Sequence, residues 1–163
     1  MKTIKNKPYP GIDLGRAYQY LLRLKDTDLS HKLRSNDLMH SIGYANRGGR
    51  ASRVLGAFRQ FGFVNFDGTF YTFTELGRNL LLAAATDNPT NQKYTLRAAR
   101  TPDLYESLYL KTNGDREIVL SDTLVGVMTN YGIERDDMKG VLKNYNETLR
   151  FVDHGIIFEL PTP

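Results

Sequence analysis

The chain has 163 residues and no cysteine, with 22 Lys and Arg against 18 Asp and Glu. That length holds one domain or two small ones around a real hydrophobic core, and the lack of thiols excludes disulfides and thiolate metal sites and suits a reducing compartment. The longest strongly apolar run, Leu80 to Ala85, is far too short for a bilayer and no charged-then-apolar leader opens the chain, so a cytoplasmic protein with no membrane partner is expected.

The charge is unevenly spread. Residues 1–100 hold 16 Lys and Arg against 7 Asp and Glu, a net of +9, whereas residues 101–163 hold 6 against 11, a net of −5. A basic first half on an acidic second half is the pattern of a polyanion-binding module joined to a part that avoids polyanions.

In chain order, Met1 to Gly11 carries Lys2, Lys5, Lys7, Pro8 and Pro10 without periodicity, so residues 1–11 are expected to be a flexible basic arm. Asp13 is placed to cap a helix with Leu14, Tyr18, Leu21 and Leu22 on its apolar face. Residues 26–34 are polar and mixed, which predicts a loop. Ser35 then opens a short helix through Ile42 as its cap, with Leu38, Met39 and Ile42 inward and Gly43 as its stop. Gly43 to Gly49 is a turn, and Gly48-Gly49 leaves backbone N–H groups near the start of the next helix, although conformational freedom alone explains two glycines there.

That next helix is expected over 49–62. Ala51, Val54, Leu55 and Phe58 recur at i, i+3, i+4 and i+7 and mark its core side. At 100° per residue, Arg53 and Gln60 lie nearly opposite, Arg50, Ser52, Gly56 and Ala57 flank them, and Arg59 sits near the buried edge. Residues 63–73 read as a hairpin with Asp67-Gly68 as a two-residue turn, which pairs Phe66 with Thr69 and Val64 with Tyr71. Val64, Phe66, Tyr71 and Phe73 then face the core, and Asn65, Phe70 and Thr72 share the other side with Phe63. Thr74 is placed to cap the following helix, and Glu75 stands in its first turn.

Basic helix, hairpin and capped helix in this order resemble the second half of the winged helix-turn-helix domains of bacterial, archaeal and phage proteins. The resemblance is carried by Phe61-Gly62-Phe63-Val64 at the end of the basic helix, a short wing, and a closing T-x-x-G-x-x-L phrase at Thr74, Gly77 and Leu80. It covers the first half of the chain and implies a mainly α fold with a small β-hairpin (α+β), with a winged helix-turn-helix domain at 12–86. It also implies sequence-preferring binding to double-stranded DNA, with the helix 49–62 in the major groove and the hairpin 63–73 as wing. Arg50, Ser52, Arg53 and Gln60 would then read bases, Arg47 and Arg78 would hold phosphates, and Asn65 and Thr69 would touch backbone or minor groove. The role implied is transcriptional regulation in a prokaryote or phage, by a homodimer on two half-sites. The alternative is an adaptor or assembly factor that uses the same fold to bind protein, and salt dependence separates the two.

Thr86 to Lys93, with Asp87-Asn88-Pro89 as a break, marks the expected boundary between halves. Beyond it, short helices are expected over Tyr94 to Arg100 and from Asp103, the second with Leu104, Tyr105 and Leu108 apolar. Ser121 caps a helix with Leu124, Val127, Met128 and Tyr131 on one stripe, ended by Gly132. A longer helix from Glu134 aligns Met138, Val141, Leu142, Tyr145, Leu149 and Val152, and Ile156 to Leu160 reads as a strand. Residues 94–163 therefore read as a helical, winged-helix-like second domain that supports the first, forms the homodimer or meets a protein partner. His31, His40 and His154 stand far apart, the acids Glu134, Asp136 and Asp137 open a helix where they suit its dipole, and no nucleotide-binding or nucleophile motif occurs. No catalytic residue, metal or cofactor is expected.

Overall fold

The computed structural model describes residues 8–28, 30–45, 48–83 and 88–155. Among them are α1 (Leu14–Leu22), β1 (Leu33–Arg34), α2 (Ser35–Ser41), α3 (Gly49–Gln60), β2 (Val64–Phe66), β3 (Phe70–Phe73), α4 (Glu75–Ala83), α5 (Asn88–Ala99), α6 (Asp103–Lys111), α7 (Asp122–Asn130) and α8 (Arg135–His154). The fold is mainly helical with one small antiparallel sheet of order β1-β3-β2. No helix among the described residues is long and apolar enough to cross a membrane.

Local chemistry starts several helices as their sequences predict. The Asp13 carboxylate accepts from Arg16 N at 3.1 Å, the Thr74 hydroxyl from Gly77 N at 2.9 Å, and the Ser121 hydroxyl from Leu124 N at 3.3 Å. Each satisfies a backbone donor that the helix leaves without a partner. Ser35 differs. It is the first residue of α2, the cap position falls to Arg34, and no side chain caps the helix. Arg34 is already extended because it pairs with Phe70 in the sheet.

The sheet corrects two further expectations. Residues 33–34, expected within a loop, form the strand β1 on the free edge of β3. In the hairpin, Val64 pairs with Phe73, Asn65 with Thr72 and Phe66 with Tyr71, two residues away from the predicted register. The cause is Asp67. Its carboxylate accepts from Thr69 N at 2.8 Å and Phe70 N at 2.7 Å, and Asp67 N donates to Phe70 O. Asp67 is thus the first corner of the turn, and Gly68, at φ +102°, and Thr69 are its centre. A two-residue shift keeps every side chain on its face, so Val64, Tyr71 and Phe73 are buried as predicted, while Phe66 is half-buried against the Tyr71 ring. Phe63 is the exception: it is wholly buried, between Phe58 and Phe61.

The halves share one core. A chain of rings runs from Phe63 to Phe61, from Phe61 to Tyr105 at 6.3 Å, and from Tyr105 to Tyr145 at 5.3 Å, while Tyr18 of α1 meets Phe151 of α8 at 5.4 Å. Leu14 N donates to Thr148 Oγ1 across 134 residues of sequence. α8 buries Met138, Val141, Leu142, Tyr145, Leu149 and Val152 as its spacing predicts, and adds Thr148 and Phe151. α5 begins at Asn88, where a break was expected, since a proline in the first turn costs a helix no hydrogen bond. Packing therefore joins residues 94–155 to residues 12–83 and sets up no second core. The strand expected over 156–160 lies outside the described residues.

The buried tyrosines make the fold sensitive to alkali. Burial pushes the Tyr145 phenol up to about 12 and the Tyr105 phenol upward as well, from an ordinary value of 10.0. A phenol whose pKa is higher folded than unfolded stabilises fully below the unfolded value, and loses that contribution as pH rises through the folded one. Unfolding monitored by circular dichroism and tyrosinate absorbance should therefore begin above pH 10 as one joint transition, and Tyr145→Phe should move it to higher pH.

Candidate nucleic-acid interface

Residues 38–66 contain four arginines and no Asp or Glu, and α3 lies within them. Ala51, Val54, Leu55 and Phe58 are buried, as predicted. Ala57, expected at the solvent flank, is fully buried too. The solvent side is therefore narrower than the periodicity implies: Gly49, Ser52 and Gly56 run along its middle, Arg53 and Gln60 along one edge, and Arg59 along the other. A β-carbon placed on Gly48, Gly49 or Gly56 would meet nothing within 4 Å.

The two edges are held differently. On one, the Gln60 amide donates to the Tyr9 carbonyl at 3.1 Å, and Gly11 lies directly on the stem of Arg53. Pro10, between them, is buried, and its carbonyl accepts from Asn144 of α8 at 3.0 Å. The arm expected to be flexible over 1–11 is thus seated on α3 by its last residues, and residues 1–7 lie outside the described residues. Gln60, expected to read bases, has its amide engaged in anchoring this segment. On the other edge, the Arg59 guanidinium lies 5.2 Å from the centre of the Phe66 ring.

The sheet adds cations absent from the sequence expectation. Lys32 and Arg34 of the β1 segment lie 5.8 and 5.4 Å from the Phe70 ring centre, contacts worth about 0.5–1 kcal/mol each on an exposed surface. The K-x-R spacing puts both on one side of a strand, but two residues of strand are too few to be visible as alternation. Asp67 is the one acid of the hairpin. Backbone N–H groups of Phe70 and Thr69 hold its carboxyl below the usual range, with a smaller pull from Lys32.

At the head of α3, Arg50 is exposed and its charge reaches Tyr44. Burial and the Tyr20 hydroxyl, 2.8 Å away, push the Tyr44 phenol up to about 12 against the pull of Arg50 and Arg23. Arg78 is exposed on α4, and its guanidinium donates to Phe73 O at 2.8 Å, which fixes it at the end of the hairpin. Asn65 and Thr69 are exposed on the hairpin, as predicted. Arg47 lies outside the described residues.

Carboxylates in ion pairs sit elsewhere. Among the described residues they engage Arg16, His31, Arg100, Arg116 and Arg150, and none engages Lys32, Arg34, Arg50, Arg53, Arg59 or Arg78. No group of three His, Asp or Glu among the described residues could hold a metal ion. Compared with known proteins, the chain matches no family model, no curated protein and no solved structure.

Proposed function

We propose that the chain is a sequence-preferring double-stranded DNA-binding protein of winged helix-turn-helix type, acting as a prokaryotic or phage transcriptional regulator on paired half-sites. One observation carries this reading: Arg50, Arg53 and Arg59 of α3, and Lys32 and Arg34 beside the sheet, are each exposed without a carboxylate ion pair among the described residues. Cations left open in this way suit phosphates, and the small residues along the middle of α3 leave room for close approach to base edges. Arg50, Ser52 and Arg53 are the base-reading candidates. Gln60 has a lesser part because its amide is engaged.

Selection of bound sequences from random duplex DNA at moderate salt, followed by a salt titration of the best binder, tests the reading. An enriched sequence whose affinity falls steeply with salt is expected. Retention of no duplex, even at low salt, would instead point to the adaptor.

Lys32→Ala with Arg34→Ala gives a second prediction. If both side chains lie on phosphates, the plot of log affinity against log salt should flatten by about 1.8, near 0.9 per contact. The loss should be uniform across sequences, because phosphates carry no base identity.

A further inference from the structure

We propose that Tyr9–Gly11 is a positioning strap that sets the orientation of Arg53 on α3 and ties it to α8, so that residues of the second half influence which DNA sequence the first half prefers. This rests on the DNA-binding reading above. A β-carbon on Gly11 would lie 2.3 Å from Arg53 Cγ and 2.9 Å from Cδ, so only glycine lets the backbone lie on that stem. The strap lies against that stem on one side, and the Arg53 side chain is otherwise exposed.

The strap is itself rigid. Pro8 and Pro10 fix their own φ, and a residue preceding proline, here Tyr9, is confined to extended conformations. Its two carbonyl anchors come from opposite sides: Gln60 of α3 donates to Tyr9 O at 3.1 Å, and Asn144 of α8 donates to Pro10 O at 3.0 Å. Asn144 is held in turn by the Tyr105 hydroxyl at 3.0 Å, so the register of the strap is fixed by the buried ring cluster of the second half.

The test uses the full chain with Gly11→Ala and Asn144→Ala. The first forces Arg53 into another rotamer, and the second releases the strap from α8 without touching α3. In each, the affinity ratio between the selected duplex and an unrelated one is measured with the salt slope on the unrelated duplex, alongside the Arg53 Nε and Gln60 side-chain amide resonances. The expected result is a ratio lowered by about tenfold, the scale of one displaced arginine–base contact. The salt slope should be unchanged, the resonances shifted and the circular dichroism native. An unchanged ratio in both variants overturns the strap's role in specificity. Should the unaltered protein bind no duplex, the DNA-binding reading fails, and the resonances alone judge the strap: shifts in both variants support it as the holder of Arg53, and unmoved signals overturn it.

Discussion

Gly77→Ala should lower the unfolding free energy by about 3 kcal/mol, whereas the same change at Gly56 should raise it by about 0.5–1 kcal/mol. Both glycines lie inside helices, where alanine is intrinsically the better residue, so the difference comes from surroundings. A β-carbon on Gly77 would fall 2.2 Å from the Phe63 carbonyl oxygen and 3.0 Å from its carbon. These are backbone atoms that cannot rotate away. That carbonyl also accepts from Thr74 N at 3.0 Å and Thr74 Oγ1 at 3.1 Å, so separating α4 from Phe63 breaks hydrogen bonds as well as packing. At Gly56 a β-carbon meets nothing, and only the backbone-entropy gain remains. Urea denaturation of the two variants checks both signs. For a chain of this size the Gly77 change corresponds to a melting temperature lower by about 10 °C. Equal stability of Gly77→Ala and the unaltered protein would mean that α4 does not sit against Phe63 in this way.

Arg50→Glu with Arg53→Glu should weaken duplex DNA binding by about 100-fold or more at physiological salt, since each arginine is replaced by a repelling charge on the face that meets phosphate. The fold should persist. Both residues are exposed, and neither enters an ion pair with a carboxylate among the described residues, so no ion pair is broken, and glutamate keeps β- and γ-carbons to lie beside Gly11. Fluorescence anisotropy on a selected duplex, with circular dichroism as the control, measures the effect. Undiminished affinity with a native spectrum would remove α3 from the DNA-binding surface. Gly56→Ala complements this: it should stabilise the protein yet weaken binding to the selected duplex, because its methyl group enters the space left for close approach.

Much of the helical architecture was legible in the chain because helices are built from short-range rules. The buried stripes of α3 and α8 follow from 3.6-residue spacing, and Asp13, Thr74 and Ser121 cap as their chemistry requires. The hairpin faces were legible for the same reason, although its pairing was not. The Asp67 side chain competed with Gly68 for the corner of the turn, and residue types alone do not rank those two solutions.

What the sequence by itself determined is the amphipathic pattern of the helices, the basic character of α3 and its freedom from nearby acids. What only the tertiary structure decided is how much of that helix stays open. Ala57 and Gln60 occupy the predicted circumference of α3, yet the core covers the first and a segment 51 residues away engages the second. Likewise, the two halves have similar local patterns, but Phe61, Tyr105 and Tyr145 join them in one core. Periodicity records which side of a helix avoids water. It carries no information on which distant part of the chain will close over a flank, because that contact is set by the summed burial of groups far apart in sequence.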